Sequence, residues 1–327
     1  MCLVDGCQSG TLSVAAKFRG FSGGMMLLFL LELLPALLLG FWGGRRHPGL
    51  SAHLAMPLVR FGVPVSVMGL LLRGGLGGEM VLAAALAVLA IIVVLLMAQR
   101  LPGLNGLHRP SLRLGSCVGN TAYVGIPLAL AFLPTEALPI SIGYDLGATL
   151  LTWSLGPLFI GARGGRSTAW SGWLLSLGNS PATRGLLGAL LLQWSPWRSV
   201  VAEALWWPSR LVIAGALVVV GMRLGSLSRR AVSWSPTGQG LVPALLVKLG
   251  VYPVLLLVLG LVLRLDPMMI KAITLQGAAP TAISLLLIAE SVGVDQERAA
   301  GLVFWSTVLS MVTAPAWGIL LAKLIPI

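Results

Sequence analysis

Two stretches of this sequence place proline, glycine and amide side chains inside otherwise apolar runs. One reads Gly119-Asn120-Thr121-Ala122-Tyr123-Val124-Gly125-Ile126-Pro127-Leu128, the other Gln276-Gly277-Ala278-Ala279-Pro280-Thr281-Ala282-Ile283-Ser284. Proline removes a backbone donor and frees the carbonyl one turn earlier. In lipid such freed groups must find protein partners or line a cavity. The amides of Asn120 and Gln276 and the hydroxyls of Thr121 and Thr281 add donors and acceptors, and half-helix ends add partial charges. The chemistry this suits is reversible binding. Asn120, Thr121, Gly125, Pro127, Gln276, Gly277, Pro280 and Thr281 are therefore the candidate ligand-binding residues. The competing reading is a pair of kinked structural helices with amides bonded across the bundle. Because the breaks come as a pair, binding is the favoured reading.

Ionisable residues inside apolar runs are costly and usually face a cavity or a partner. Asp145 and Lys248 are two such residues. Asp145 could carry a proton or help to hold Na⁺, and Lys248 could offset an anionic ligand. Alternatively the two neutralise each other as an ion pair. Arg60 and Arg210 also fall inside apolar segments. A pair of guanidinium forks would suit a dicarboxylate, but long basic side chains also snorkel to the membrane surface, and that structural reading is preferred. Bond-making chemistry is not expected. His47, His53 and His108 form no metal-binding pair, Cys2, Cys7 and Cys117 match no metal or redox spacing, and no two carboxylates adjoin. The expectation is a non-enzyme with no metal and no cofactor.

The elements that must position these residues follow from composition. Hydrophobic residues make up 57% and charged residues 10% of 327, and the mean hydropathy is +0.94. A soluble domain carries about 25% charged residues, so soluble and disordered classes are excluded. The chain reads as an all-α polytopic membrane protein. Runs of about 20 apolar residues, cut by Gly, Pro and Arg clusters, give ten segments: 25–43, 52–72, 79–98, 112–133, 137–160, 178–194, 203–222, 240–263, 268–290 and 299–324.

The net charge of +12 reads as topogenic charge and contact with anionic lipid rather than nucleic-acid binding. Most Lys and Arg lie in alternate gaps, among them Arg45, Arg46, Arg100, Arg109, Arg163, Arg223, Arg229 and Arg230. By the positive-inside rule these gaps are cytoplasmic and both termini are outside. The chain divides into a short polar lead (1–24, not a signal peptide), a first five-helix repeat (25–160), a cytoplasmic inter-repeat loop (161–177) and a second five-helix repeat (178–327). The strings Leu33 to Leu39 and Leu186 to Leu192 are similar, and Pro127 and Pro280 share their separation. Five helices per repeat requires the second repeat to insert inverted, the architecture of secondary transporters.

Asn120-Thr121 followed by Gly125-Ile126-Pro127-Leu128 resembles the fourth-helix motif of the auxin efflux carrier family. Gln276 to Pro280, then Ala289-Glu290, Ser306-Thr307 and Pro315, resembles its ninth and tenth helices, and Lys248 with Pro253 its eighth. The resemblance implies ten helices in two inverted repeats. Helices one, two, six and seven would form a scaffold, often dimeric. The others would form a transport domain whose fourth and ninth helices break and cross at their prolines. There a residue matching Asn120 would contact an organic anion. One departure is Ala214-Gly215-Ala216 in the seventh helix, where a proline is expected, so that helix should be straighter. The absence of a long loop between helices five and six speaks against a plant-type regulatory role. The expected function is secondary-active transport of small mono- or dicarboxylates across a bacterial inner membrane, coupled to protons or membrane potential. Na⁺ symport, or a non-transporting receptor on the same fold, are the alternatives. The expected partners are the anion, the coupling ion, lipid and a second copy of the chain.

Overall fold

The structure, a computed structural model, describes residues 22–47, 49–74, 77–100, 105–161, 181–228 and 240–326. Residues 1–21 of the polar lead and the inter-repeat loop beyond Gly161 lie outside the described residues. Every named element is helical, and no β-strand occurs among the described residues. Helix α1 spans Ser22–Arg46. Helices α2 (Leu50–Pro57) and α3 (Val63–Gly74) are joined by a π turn at Leu58–Gly62, and α4 spans Gly78–Arg100. The fourth segment is split into α5 (Pro110–Gly115) and α6 (Ile126–Phe132), with a π turn at Thr121–Gly125. Then come α7 (Leu138–Gly161), α8 (Pro181–Gln193), α9 (Arg198–Ala204) and α10 (Trp206–Ser228). The eighth segment is α11 (Val242–Leu246), a π turn at Val247–Val251, and α12 (Tyr252–Val262). The ninth is split into α13 (Pro267–Ala278) and α14 (Ile283–Val292), and α15 (Gln296–Leu324) closes the chain.

Four stretches are long and apolar enough to cross a membrane: Gly78–Ala98, Arg198–Ser226, Val242–Val262 and Gln296–Leu324. The chain is thus an integral membrane protein. Apolar side chains on its outside, such as Val262 at 72% and Leu211 at 69% exposure, belong against lipid rather than water. Helix α10 runs unbroken through Ala214-Gly215-Ala216, as the missing proline predicts.

The helices pack in two groups. One joins α1, α3, α8, α9 and α10, and the other joins α4, α7 and the helices from α12 to α15. Small residues let backbones approach where lipid supplies no hydrophobic drive between helices. Gly40 and Gly44 of α1 lie against the backbone of Val218 and Met222, while Gly221 and Gly225 of α10 lie against Leu37 and Phe41. A Cβ at any of these four positions would overlap a carbonyl oxygen of the facing helix. The α4–α7 contact uses the same device, with Gly143 on Met80 and Gly147 on Ala84.

A cavity at the crossed helix breaks

The two interruptions arise differently. In the ninth segment the cause is local. Pro280 cannot donate to a helix, and a proline pushes its predecessor to extended backbone. Ala279 is extended at φ −60°, ψ 147°, and α13 ends at Ala278. Ala282, also extended, starts α14. In the fourth segment the break covers Ser116 to Asn120, well before Pro127. Pro127 stands in the first turn of α6, where a proline is tolerated. The expectation that both breaks sit at their prolines is therefore corrected. Pro127 and Pro280 are not structural counterparts, despite the separation they share with the leucine strings.

The first break is held by the second. Asn120 N–H donates to the Pro280 carbonyl at 2.7 Å, and Ala282 N–H donates to the Val118 carbonyl at 3.1 Å. Gly119 and Thr281 form the antiparallel bridge between these bonds. Each break thereby satisfies backbone groups that the other leaves free, which the absence of water demands. Around this bridge, Thr281 donates its hydroxyl to the Gly115 carbonyl at 3.0 Å and its N–H to Ser306 Oγ at 3.0 Å. Lys248 Nζ, fully buried, donates to the Gly277 carbonyl at 2.8 Å and lies 4.7 Å from the Tyr252 ring centroid. The lysine thus caps the C-terminal end of α13, where the helix dipole is negative.

A cavity of about 130 Å³ opens beside the bridge, between the two helix groups. Asn120, Thr121 and Asp145 form its polar end. Asp145 accepts from Thr121 Oγ1 at 2.5 Å and from Thr149 Oγ1 at a longer 3.5 Å. Asn120 is buried, and its Nδ2 has no hydrogen-bond partner. Across from them α3 contributes Val63, Ser66 and Val67, and α10 contributes Ala216, Val219 and Arg223. Farther from the bridge the lining passes Thr152, Trp153 and Leu287. The site can therefore hold a small ligand whose polar group meets Asn120, Thr121 and Asp145.

Of the residues singled out from sequence, Asn120, Thr121 and Asp145 reach this cavity. Gly125, Pro127, Gln276, Gly277, Pro280 and Thr281 do not line it. Gln276 is fully buried with both ends of its amide unpartnered. It packs on Gly125, where a Cβ would overlap Gln276 Oε1. Gly277, Pro280 and Thr281 build the crossing by the bonds above. Asp145 and Lys248 form no ion pair among the described residues, since the threonines and the Gly277 carbonyl take them instead. Arg60 is exposed near Phe61. Arg210 and Arg73 stack on Trp206 at 4.7 and 4.0 Å. Neither Arg60 nor Arg210 lines the cavity, so the dicarboxylate fork is set aside for the structural role. Sequence reasoning missed Thr149, Thr152, Ala282, Ser284 and Arg223 as lining residues. Thr149 and Thr152 lie one and two turns beyond Asp145 on α7, a spacing that places them on one face.

Residues 79–318 match a family described as membrane transport protein. The chain is also similar to an uncharacterized transporter of Methanothermobacter thermautotrophicus. The two are 24% identical over 219 residues, which covers 67% of this chain and 70% of that one.

Proposed function

The chain belongs to the membrane transport protein family, that of the auxin efflux carriers, and from this premise we propose that it is a secondary-active carrier of small organic carboxylates. The observation that carries the proposal is the cavity beside the crossing, lined by Asn120, Thr121 and Asp145 and walled by largely apolar residues of both helix groups. In this reading ten helices form two inverted repeats. Helices α1, α3, α8 and α10 act as a scaffold that pairs with a second copy, and the remaining helices carry the ligand past it. The lining runs from the crossing toward Trp153, Arg223 and Leu287, near the Arg-rich gaps, so the cavity faces the cytoplasm of a bacterial inner membrane with both termini outside.

Coupling is assigned to protons or membrane potential rather than Na⁺. Asp145 supplies a carboxylate beside the ligand that can take up a proton with each anion. Half-helix carbonyl ends are where transporters of this kind hold Na⁺. Here the Lys248 ammonium already occupies that end of α13 at 2.8 Å, and it would repel a second cation. The test is uptake of labelled malonate, malate and indole acetate into proteoliposomes under imposed proton, Na⁺ and voltage gradients, with wild type and Asn120→Ala. Saturable flux driven by the proton or voltage gradient and lost in Asn120→Ala is expected. Flux untouched by the substitution would move the site elsewhere. Folded protein with no flux for any acid would favour a receptor on the same fold.

A further inference from the structure

Arg223 and Glu290 have no place in the site as built so far. Arg223 stands on α10, in the scaffold group, and lines the same cavity as Asn120. Its Nη1 lies 3.0 Å from Glu290 Oε1 near the end of α14, in the other group. One ion pair thus spans the two groups at the rim of the cavity. Glu290 is the looser partner, with its side chain 39% exposed against 16% for Arg223. Among the described lining residues Arg223 is the one basic side chain and Asp145 the one carboxylate. Its contact with Glu290 uses one nitrogen and one oxygen, and its Nε is buried without a partner. Asn120 Nδ2 is in the same condition. Two residues that line the cavity, one from each helix group, thus each keep a buried donor without a partner. A guanidinium binds a carboxylate best through two parallel N–H bonds, and Glu290 leaves that capacity half used.

We propose that Arg223 is the scaffold-side carboxylate-binding residue of the cavity, and that Glu290 is a built-in carboxylate holding it while the cavity is empty. The proposal rests on the carrier reading above. An incoming carboxylate turns the guanidinium toward itself and takes Nε and Nη1 of Arg223 together, and Glu290, the more exposed partner, is released. Release breaks the tie between α10 and α14, so filling the cavity also frees one helix group to move against the other. A ligand acts this way only through its differential contacts in the two states, and the exchange of one carboxylate for another supplies them. A neutral amide of the same size has no charge with which to displace Glu290.

The experiment titrates purified protein calorimetrically with propionate, isovalerate, phenylacetate and malonate, and with the matching amides. Labelled acids are followed into proteoliposomes in parallel. Glu290→Gln removes a tethered competitor and should tighten acid binding about five- to tenfold, the lower end of the coupling usual between two binding events. Arg223→Gln should weaken it about tenfold or more, and Arg223→Lys should fall between, because a point charge lacks the fork. The amides should bind no better in any variant. A second readout follows the tie itself. Ser284→Cys, in the cavity wall, is labelled with a charged maleimide. Arg223→Gln and Glu290→Gln should shift its labelling rate in the same direction, and the exchanged pair Arg223→Glu/Glu290→Arg should return it toward wild type. Flux that depends on Asn120 but changes less than about twofold in all three single variants, against the tenfold expected of a lost charged contact, overturns the proposal and leaves the carrier reading standing. No acid binding by any variant, Glu290→Gln included, overturns both.

Discussion

The Thr121 hydroxyl donates to Asp145 at 2.5 Å, joining the π turn after the first break to α7. A hydrogen bond to a charged group contributes about 1.5–3 kcal/mol. Thr121→Val removes the bond and leaves the buried Asp145 carboxylate short of a donor, so the melting temperature in detergent should fall, and carboxylate flux should fall with it. Asp145→Asn keeps an acceptor but cannot carry a proton. Under the proposed coupling, it should still exchange labelled for unlabelled acid across the membrane while losing accumulation driven by a pH gradient. Equal loss of both would count against Asp145 as the proton carrier. Gly125 makes a different kind of prediction. A methyl there overlaps the buried Gln276 amide, and overpacking of this kind costs about 1–3 kcal/mol. Gly125→Ala should lower the melting temperature, and adding Gln276→Ala should recover part of the loss. At this scale Asn120, Thr121 and Asp145 were legible, because polar groups in lipid need a reason to be there. Gln276 has the same chemistry as Asn120 but faces Gly125, and one sequence does not say which side of a helix meets the cavity. Arg223 was hidden among basic residues whose abundance topology alone explains.

Some segments were legible to within a few residues because apolar run length is set by the bilayer, whereas the seventh, expected at 203–222, runs on to Ser228. The predicted 79–98 became Gly78–Arg100 and the predicted 299–324 became Gln296–Leu324. The break in the ninth segment was legible too, since Pro280 and its extended predecessor make it locally. The break in the fourth was not. Nothing in Ser116-Cys117-Val118-Gly119 forbids a helix outright. That break exists because Pro280 and Ala282 bond its backbone from the other half of the chain. The two prolines should therefore behave unequally. Pro127→Ala, in the first turn of α6, should change stability by about 1 kcal/mol or less, the ordinary scale of a compatible proline exchange. Pro280→Ala restores a donor and lets α13 continue toward α14, in competition with the bridge. It should lower both melting temperature and Asn120-dependent flux. Equal effects of the two substitutions would mean that the bridge does not depend on a rigid second break.

At the scale of the whole molecule, the membrane class was plain from composition, whereas the division into two helix groups came from resemblance to a family. Composition cannot show it: the glycines that seam α1 to α10 are ordinary members of a sequence with 41 glycines. Gly44 and Gly221 nevertheless sit where a Cβ overlaps the facing carbonyl. Gly221→Leu should separate α10 from α1 and cost at least the ~1–3 kcal/mol of ordinary overpacking. The cavity wall formed by α10 should shift with it, so flux should drop even though the substitution is outside the site. The antiparallel bridge also has a consequence for biosynthesis. The ribosome makes Val118 and Asn120 long before Pro280 and Ala282. Until the later residues enter the bilayer, nothing imposes the earlier break, and the fourth segment can satisfy its own backbone as a continuous helix. A nascent chain halted before Pro280 therefore carries its fourth segment in a conformation that the finished protein does not keep, and the cavity is formed only after the second half of the chain has been synthesised.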